Sequence, residues 1–282
     1  MTLKSPVQHI QITKIIHYDV QSNPDLLAVE EPLEIRLEFG RLAERQQRSL
    51  SVTMRTPGHD FELALGFLFT EGIVRSVQQI DTIKYCLSTG KQEEFENVLR
   101  VELKPEIQLD FEKFQRNFYT SSSCGVCGKS SIDSVKMQCN PIQSNIKITS
   151  NSIHNLPQKL REAQHVFEHT GGLHASALFR PDGELIILRE DVGRHNALDK
   201  VIGAMLSKGE VPLSDYVLLV SGRTSFELVQ KAAMAGIPVM AAVGAPSSLA
   251  VELARETGMT LLGFVRGGSL NVYCGEQRIS GV

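Results

Sequence analysis

The sequence predicts an α/β protein: a larger C-terminal α/β domain joined to a smaller, β-rich N-terminal domain. Three observations carry this. Up to about residue 118, short runs alternate apolar and polar residues as half-buried strands do. From residue 119, helical stripes and apolar strands take turns. Near the C-terminus that succession becomes an unbroken β-α-β-α-β. The predicted domains are therefore 1–118 and 119–282.

In the first domain EIRLEFG (34–40) and SLSVTMRTP (49–57) read as strands that stop near Gly40 and Pro57. Between Asp60, read as an N-cap, and Gly72, FELALGFLFTE is apolar on nearly every side and predicts a core helix. IKYCLS and NVLRVEL resume the strand pattern around a charged turn, GKQEEFE. In the second domain LPQKLREAQHVFEHTGG puts Leu160, Ala163, Val166 and Phe167 on one helical stripe, with Pro157 in the first turn and Gly171 and Gly172 at the stop. ELIILR (184–189) is a strand, and NALDKVIGAMLSKG a helix closed by Gly209.

The strand YVLLVS leads to Thr224 and Glu227, a capping-box pattern that opens the helix TSFELVQKAAMAG. IPVMAAVG, a helix from about Ser247 to Thr257, and the strands MTLLGFV and RGGSLNVY complete the chain. The pattern implies a mostly parallel sheet, whose crevice at the strand carboxyl ends is where ligands bind.

With 282 residues, 42% of them hydrophobic, the chain can bury a core without disulfides. Its five cysteines (86, 124, 127, 139 and 274) are an odd number and suit a reducing cytoplasm. MTLKSPVQHIQITK lacks the apolar region of a signal peptide, and no run approaches a membrane helix, so a soluble, cytoplasmic protein is expected. A net charge of −3, no tryptophan and no basic run argue against nucleic acid. An anionic ligand must be held by a local site.

Four stretches carry chemistry. YTSSSCGVCGKSS holds Cys124 and Cys127 in a C-x-x-C, which can serve zinc, redox exchange or nucleophilic attack. Structural zinc wants four ligands; Cys139, His154, His165, His169 and His174 are available, and His165 and His169 stand four apart, but a second pair at zinc-finger spacing is missing. A thioredoxin-like site needs a β-α-β unit upstream, which the sequence does not supply. A deaminase-like turn at GGLHASA has Ser176 in place of the required glutamate, and the cysteine pair precedes it rather than following. A cysteine in a Gly/Ser-rich loop near a helix start, with Lys129 close by, has a lowered thiol pKa, so Cys124 is a candidate nucleophile.

In LREDVGRHNALDK, Asp191, Arg194, His195 and Asn196 crowd a strand-to-helix joint, where an arginine can hold an anion and a histidine can move a proton; a solvated capped turn is the plainer reading. VSGRTSFE sets Ser221, Gly222 and Arg223 before a helix start, an arrangement that favours phosphate. In GFVRGGSLNVY, Arg266, Gly267, Gly268 and Ser269 follow a strand; they form either a ligand-approach loop or a simple hairpin. Neither loop matches the dinucleotide or P-loop fingerprint.

With these four stretches in this order, the chain resembles the formate dehydrogenase accessory sulfurtransferase family, FdhD, from about RTPGHDFELALGFLFTEGI to the C-terminus. The resemblance implies a sulfur carrier. Sulfur would come from a cysteine desulfurase as a persulfide on Cys124, and pass to the molybdenum cofactor in its bis-guanine-dinucleotide form before insertion into formate dehydrogenase. It maps the cofactor segment to Phe264, Val265, Arg266, Gly267, Gly268 and Ser269. The residues themselves agree, since Arg194, Arg223 and Arg266 are placed to supply the anion-binding strand-end loops such a cofactor needs. It also implies a cytidine-deaminase-like fold for the larger domain, no permanent metal, and a homodimer. Cys127 would resolve the persulfide, tune Cys124 or take the sulfur itself. The competing reading is a zinc-binding, guanine-nucleotide or cofactor-holding assembly protein without sulfur chemistry; a third is a chaperone that mainly holds cofactor for its client enzyme.

Overall fold

The computed structural model describes residues 4–86, 96–107 and 141–281. Cys124, Cys127, Lys129 and Cys139, and all but the last residue of the GKQEEFE turn, lie outside the described residues.

Strands β1 (Val7–Ile16) and β2 (Asp19–Ala28) form an antiparallel hairpin. A second sheet contains β3 (Glu31–Phe39), β4 (Gln46–Arg55), β5 (Ile80–Tyr85) and β6 (Val98–Leu103) in the order β4-β3-β6-β5. Along β3, Leu33, Ile35, Leu37 and Phe39 are buried while the residues between them are not, as the alternating pattern requires.

β7 (Ile148–Thr149) is a short strand that precedes the largest sheet. That sheet is built from β8 (His174–Phe179), β9 (Leu185–Asp191), β10 (Val217–Val220), β11 (Val239–Ala242), β12 (Thr260–Arg266) and β13 (Ser269–Cys274), in the order β13-β12-β11-β10-β8-β9. A last strand, β14 (Ile279–Ser280), pairs with β7.

The described α-helices are α1 (Asp60–Thr70), α2 (Ser150–Ala163), α3 (His165–Thr170), α4 (Arg194–Ser207), α5 (Phe226–Met234) and α6 (Ser248–Thr257). The result is a mixed α/β architecture with several sheets.

The large sheet departs from the mostly parallel expectation. β10–β11 and β11–β12 are parallel, but β8–β9, β8–β10 and β12–β13 are antiparallel. β9 and β13 each follow their neighbour through a tight turn, at Asp182-Gly183 and at Gly267-Gly268, and turns that short cannot hold a crossover.

Three local expectations are also corrected. Asp60 does not cap α1; His59 occupies that position at φ +59°. The Asp60 carboxylate accepts instead from Arg55 Nε at 3.1 Å, Arg55 Nη2 at 2.9 Å and Tyr85 Oη at 3.1 Å, because a buried arginine needs a carboxylate more than a helix needs a cap.

The stripe from Leu160 to Phe167 belongs to two helices, not one. α2 begins earlier, capped by Thr149 Oγ1 accepting from Ser152 N, so Pro157 lies inside it. The chain breaks at Gln164, and Glu190 then accepts from Val166 N and Phe167 N at the start of α3. Finally, the cap of α5 is Ser225, whose Oγ accepts from Leu228 N, rather than Thr224.

One buried cluster runs from Leu33 and Ile35 of β3 through Leu63 and Leu68 of α1 and Val201 and Ile202 of α4 to Leu218, Met240 and Leu261 of the large sheet. The opposite face of that sheet packs Phe179, Leu219, Val239 and Leu262 against Ile153, Leu156 and Leu160 of α2. Where α1 crosses α4, the backbones nearly touch. A Cβ on Gly66 would lie 1.9 Å from Asp199 O, and one on Gly203 1.8 Å from Glu62 O, so only glycine fits at either crossing point.

Candidate functional site: a row of strand-end loops

The carboxyl ends of β9, β10, β11 and β12 lie on one edge of the sheet, with the start of β8 between β9 and β10, and the sequence-predicted residues of the last three stretches fall on this edge. Gly244 N donates to Gly222 O at 3.1 Å and Phe264 N donates to Gly244 O at 3.1 Å, which ties the loops after β10, β11 and β12 into one backbone row. A Cβ on Gly222 would stand 3.3 Å from His174 Nδ1, so the first residue of β8 lies against the same row. His174 had been weighed only as a metal ligand.

Arg194 is partly buried, while Arg223 and Arg266 are exposed. None of the three makes a hydrogen bond or ion pair with another described side chain; the Arg266 guanidinium lies 5.7 Å from the centre of the Phe264 ring. Three guanidiniums without an ion-pair partner among the described side chains, on one edge of the sheet, suit an anionic ligand.

The segment from Phe264 to Ser269 is shaped by two backbone features. Gly263 faces Asn271 and Arg266 faces Ser269, so β12 carries one more residue than β13 in that interval, a β-bulge. Phe264 takes φ +53°, a left-handed conformation rare for an aromatic residue and a place where strain is stored. Gly267 and Gly268, at φ +60° and +75°, then turn the chain into β13, so the hairpin reading is the observed one. Val265 points inward and is fully buried.

Ser221 and Asp191 are committed to the fold. Ser221 Oγ accepts from Ala175 N at 2.9 Å. Asp191 is fully buried and accepts from four donors: Lys200 Nζ at 2.6 Å, Gly193 N at 2.8 Å, Asn196 Nδ2 at 3.0 Å and Thr56 N at 3.2 Å. It holds the joint between β9 and α4 in place and presents Arg194 and His195 to the loops.

His195 meets two residues of the neighbouring helix start: Nε2 lies 3.2 Å from Ser225 Oγ and 3.3 Å from Glu227 Oε2. Burial, then the charges of Arg194 and Lys231, pulls the imidazole down to about 3. Burial also lifts the Glu227 carboxyl to about 7, with Lys231 opposing and Glu71 and Asp199 adding to the rise. At neutral pH the contact is therefore not an imidazolium–carboxylate ion pair. The imidazole is neutral and the carboxyl is near its own midpoint. Behind them Lys231 Nζ is held by Asp199 at 2.8 Å and by Thr70 Oγ1 at 2.9 Å.

Glu227 escaped the sequence reading because it fitted a capping box. Its signal was a second one, an acidic residue one turn before a lysine on a helix otherwise apolar toward the sheet.

Among the described residues there is no group of three or more His, Cys, Asp or Glu side chains able to hold a metal ion. Nor is any described helix long and apolar enough to cross a membrane. Cys274 donates to Met259 O at 3.3 Å, and burial pushes its thiol up, away from reactivity. A cavity of about 1050 Å³, lined by Ser144, Arg180, Asp215 and Tyr216 among others, opens at the opposite, amino-terminal end of β10; its lining has neither thiol nor imidazole.

Comparison with known proteins identifies the family. The model of the FdhD/NarQ family matches residues 28–280. The sulfur carrier protein FdhD of Streptomyces coelicolor is 51% identical over 265 residues, covering 93% of this chain and 91% of that one. The sulfur carrier protein FdhD of Mycobacterium tuberculosis is 47% identical over 283 residues, 97% of each chain. That of Saccharolobus solfataricus is 42% identical over 273 residues, covering 97% of this chain and 98% of its own. The crystal structure of a candidate formate dehydrogenase accessory protein from Desulfotalea psychrophila superposes with a TM-score of 0.73 at 23% identity, over 98% of this chain and all of the other, and speaks for the fold alone. A family model spanning nearly all of the chain and relatives half identical along it establish that the chain belongs to the FdhD/NarQ family.

Proposed function

We propose that this protein is a sulfur carrier: it accepts sulfur from a cysteine desulfurase as a persulfide on Cys124 and delivers it to the bis-guanine-dinucleotide molybdenum cofactor destined for formate dehydrogenase. The observation that carries this reading is the match, 51% identical over 93% of the chain, to a sulfur carrier protein FdhD. The row of strand-end loops supports the cofactor half of it. Two pyrophosphates need several separate cationic donors, and Arg194, Arg223 and Arg266 flank the row.

In the donor step the Cys124 thiolate attacks the outer sulfur of the desulfurase persulfide and releases the desulfurase thiolate. In the delivery step Cys127 attacks the inner sulfur, releasing the outer sulfur with its electron pair to the cofactor and leaving a Cys124–Cys127 disulfide that a thiol reductant reopens. The cofactor is cargo here, held through its phosphates and guanines. The reading extends to a homodimer, and to a relationship between the α/β layer and the cytidine deaminase fold without its zinc chemistry. Ser176, fully inside β8 where a deaminase would need glutamate, is in keeping with that.

Intact and peptide mass spectrometry after incubation with a desulfurase and cysteine tests the reading. One added sulfur on the Cys124 peptide, absent in Cys124→Ala, is expected; no added sulfur together with retained zinc would favour the assembly-protein alternative. Full delivery by Cys127→Ala would remove the disulfide step.

A further inference from the structure

Glu227 and His195 stand where α5 and α4 begin side by side, below the loops that carry Arg194 and Arg223. His195 uses only one of its nitrogens on the protein: Nε2 meets Ser225 Oγ at 3.2 Å and Glu227 Oε2 at 3.3 Å. Nδ1 has no partner among the described residues and is not among the buried unpaired polar atoms. It is open to a ligand.

The charges around the pair are accounted for. Glu227 feels Lys231 of its own helix, Glu71 beyond the end of α1, and Asp199 and Arg194 of α4. His195 feels Arg194, Lys231 and, from β8, His174. Lys231 is the cation that pulls Glu227 most strongly toward its ionised form. It is engaged elsewhere: Asp199 oxygens at 2.8 and 3.1 Å, Thr70 Oγ1 at 2.9 Å and Glu71 Oε1 at 3.6 Å. Glu227 is left facing a neutral imidazole.

We propose that Glu227 and His195 form one proton relay, in which Glu227 stores the exchangeable proton and His195 Nδ1 is the outlet to the ligand on the strand-end loops. With the store full, the Glu227 hydroxyl donates to Nε2 and the ring hydrogen sits on Nδ1. When a basic group of the ligand takes the Nδ1 hydrogen, the Glu227 proton moves to Nε2, and the carboxylate then accepts Nε2–H. One proton leaves, one negative charge appears on Glu227, and the imidazole is neutral before and after. The burial that brings Glu227 to about 7 places this exchange in the neutral range. Glu227 is a positioning residue, acting through His195. The relay rests on the sulfur-carrier reading only for the identity of the ligand it serves.

The test uses the full chain without ligand, so it is independent of that reading, which persulfide mass spectrometry decides. Nitrogen NMR of the imidazole rings distinguishes the two tautomers and the imidazolium. Followed from about pH 5.5 to 8.5, His195 is expected to pass from the Nδ1–H to the Nε2–H tautomer with a midpoint near 7 and no imidazolium. Glu227→Gln is expected to abolish the exchange, and Ser225→Ala to keep it. A single tautomer throughout, an imidazolium forming in this range, or an exchange that survives Glu227→Gln would each overturn the proposal. The unmodified protein alone supplies the first two outcomes if the variant does not fold.

Discussion

Lys200 Nζ lies 2.6 Å from Asp191 Oδ2, and neither side chain reaches solvent. The same ammonium donates to Thr56 O at 2.9 Å, so one lysine joins the end of β9 to the residue just after β4. Lys200→Met should destabilise the protein by about 3 kcal/mol or more, because it strands a buried carboxylate. The double variant with Asp191→Asn should lose less than the two single losses summed, since each single change already breaks the pair. Urea unfolding of the three variants measures both.

Gly66→Ala and Gly203→Ala place a methyl group against backbone atoms of the facing helix. Helix propensity alone would reward alanine by about 1 kcal/mol. Overpacking at a backbone contact should win and leave a net loss of about 1 to 3 kcal/mol or more, read as a lowered thermal midpoint.

Arg223 and Arg266 are exposed, and neither forms a hydrogen bond or ion pair with another described side chain; Arg266 lies only over the Phe264 ring. Arg223→Ala and Arg266→Ala should leave stability within about 0.5 kcal/mol of the parent. On the proposed function each should weaken guanosine diphosphate binding by roughly tenfold or more, the loss of one charge-assisted contact. Calorimetric titration compares them.

Two glutamates should give stability opposite slopes with pH. Burial alone would raise the Glu62 carboxyl, but Arg189, at 2.6 and 2.8 Å, and then His59 bring it down to about 2. Its folded value lies below the reference of 4.5, so its contribution is present above 4.5 and fades as the pH falls toward 2. Arg189→Met should remove that acid-limb slope. Glu227 is the reverse: its folded value near 7 lies above 4.5, so stability is lost as the pH rises from 4.5 through 7. Glu227→Gln should therefore be the more stable protein at about pH 8, by at most about 3 kcal/mol. Denaturation at two pH values checks both signs.

The element types of the fold were legible because burial sets them locally. The alternation in β3 and the all-round apolarity of α1 follow directly from which faces meet the core. What escaped was decided by side-chain partners that the local apolar pattern does not show. Asp60 looks like a cap until Arg55 is brought beside it, and the helix read from Pro157 divides because Glu190 supplies the donors of α3 with an acceptor. In the site, Arg194, Arg223 and Arg266 were legible as strand-end cations. Glu227 was not, since its partner His195 lies on another helix and a capping pattern offered a local explanation. The antiparallel edges of the large sheet followed from turns whose pairing direction the apolar pattern does not encode.

β9 ends in two carboxylates that face opposite ways. Glu190 accepts from the backbone of α3, and Asp191 from Thr56, Gly193, Asn196 and Lys200 on the other side. The strand end is thus riveted through both layers. On the proposed function, a pull exerted on Arg194 by a departing ligand would be borne at once by α3 and by the four-stranded sheet, with little freedom for the joint itself to bend. On the proposed function, adaptation to the cargo would then fall to the long arginine side chains above the joint, which can sweep over the loops while the ground beneath them stays still.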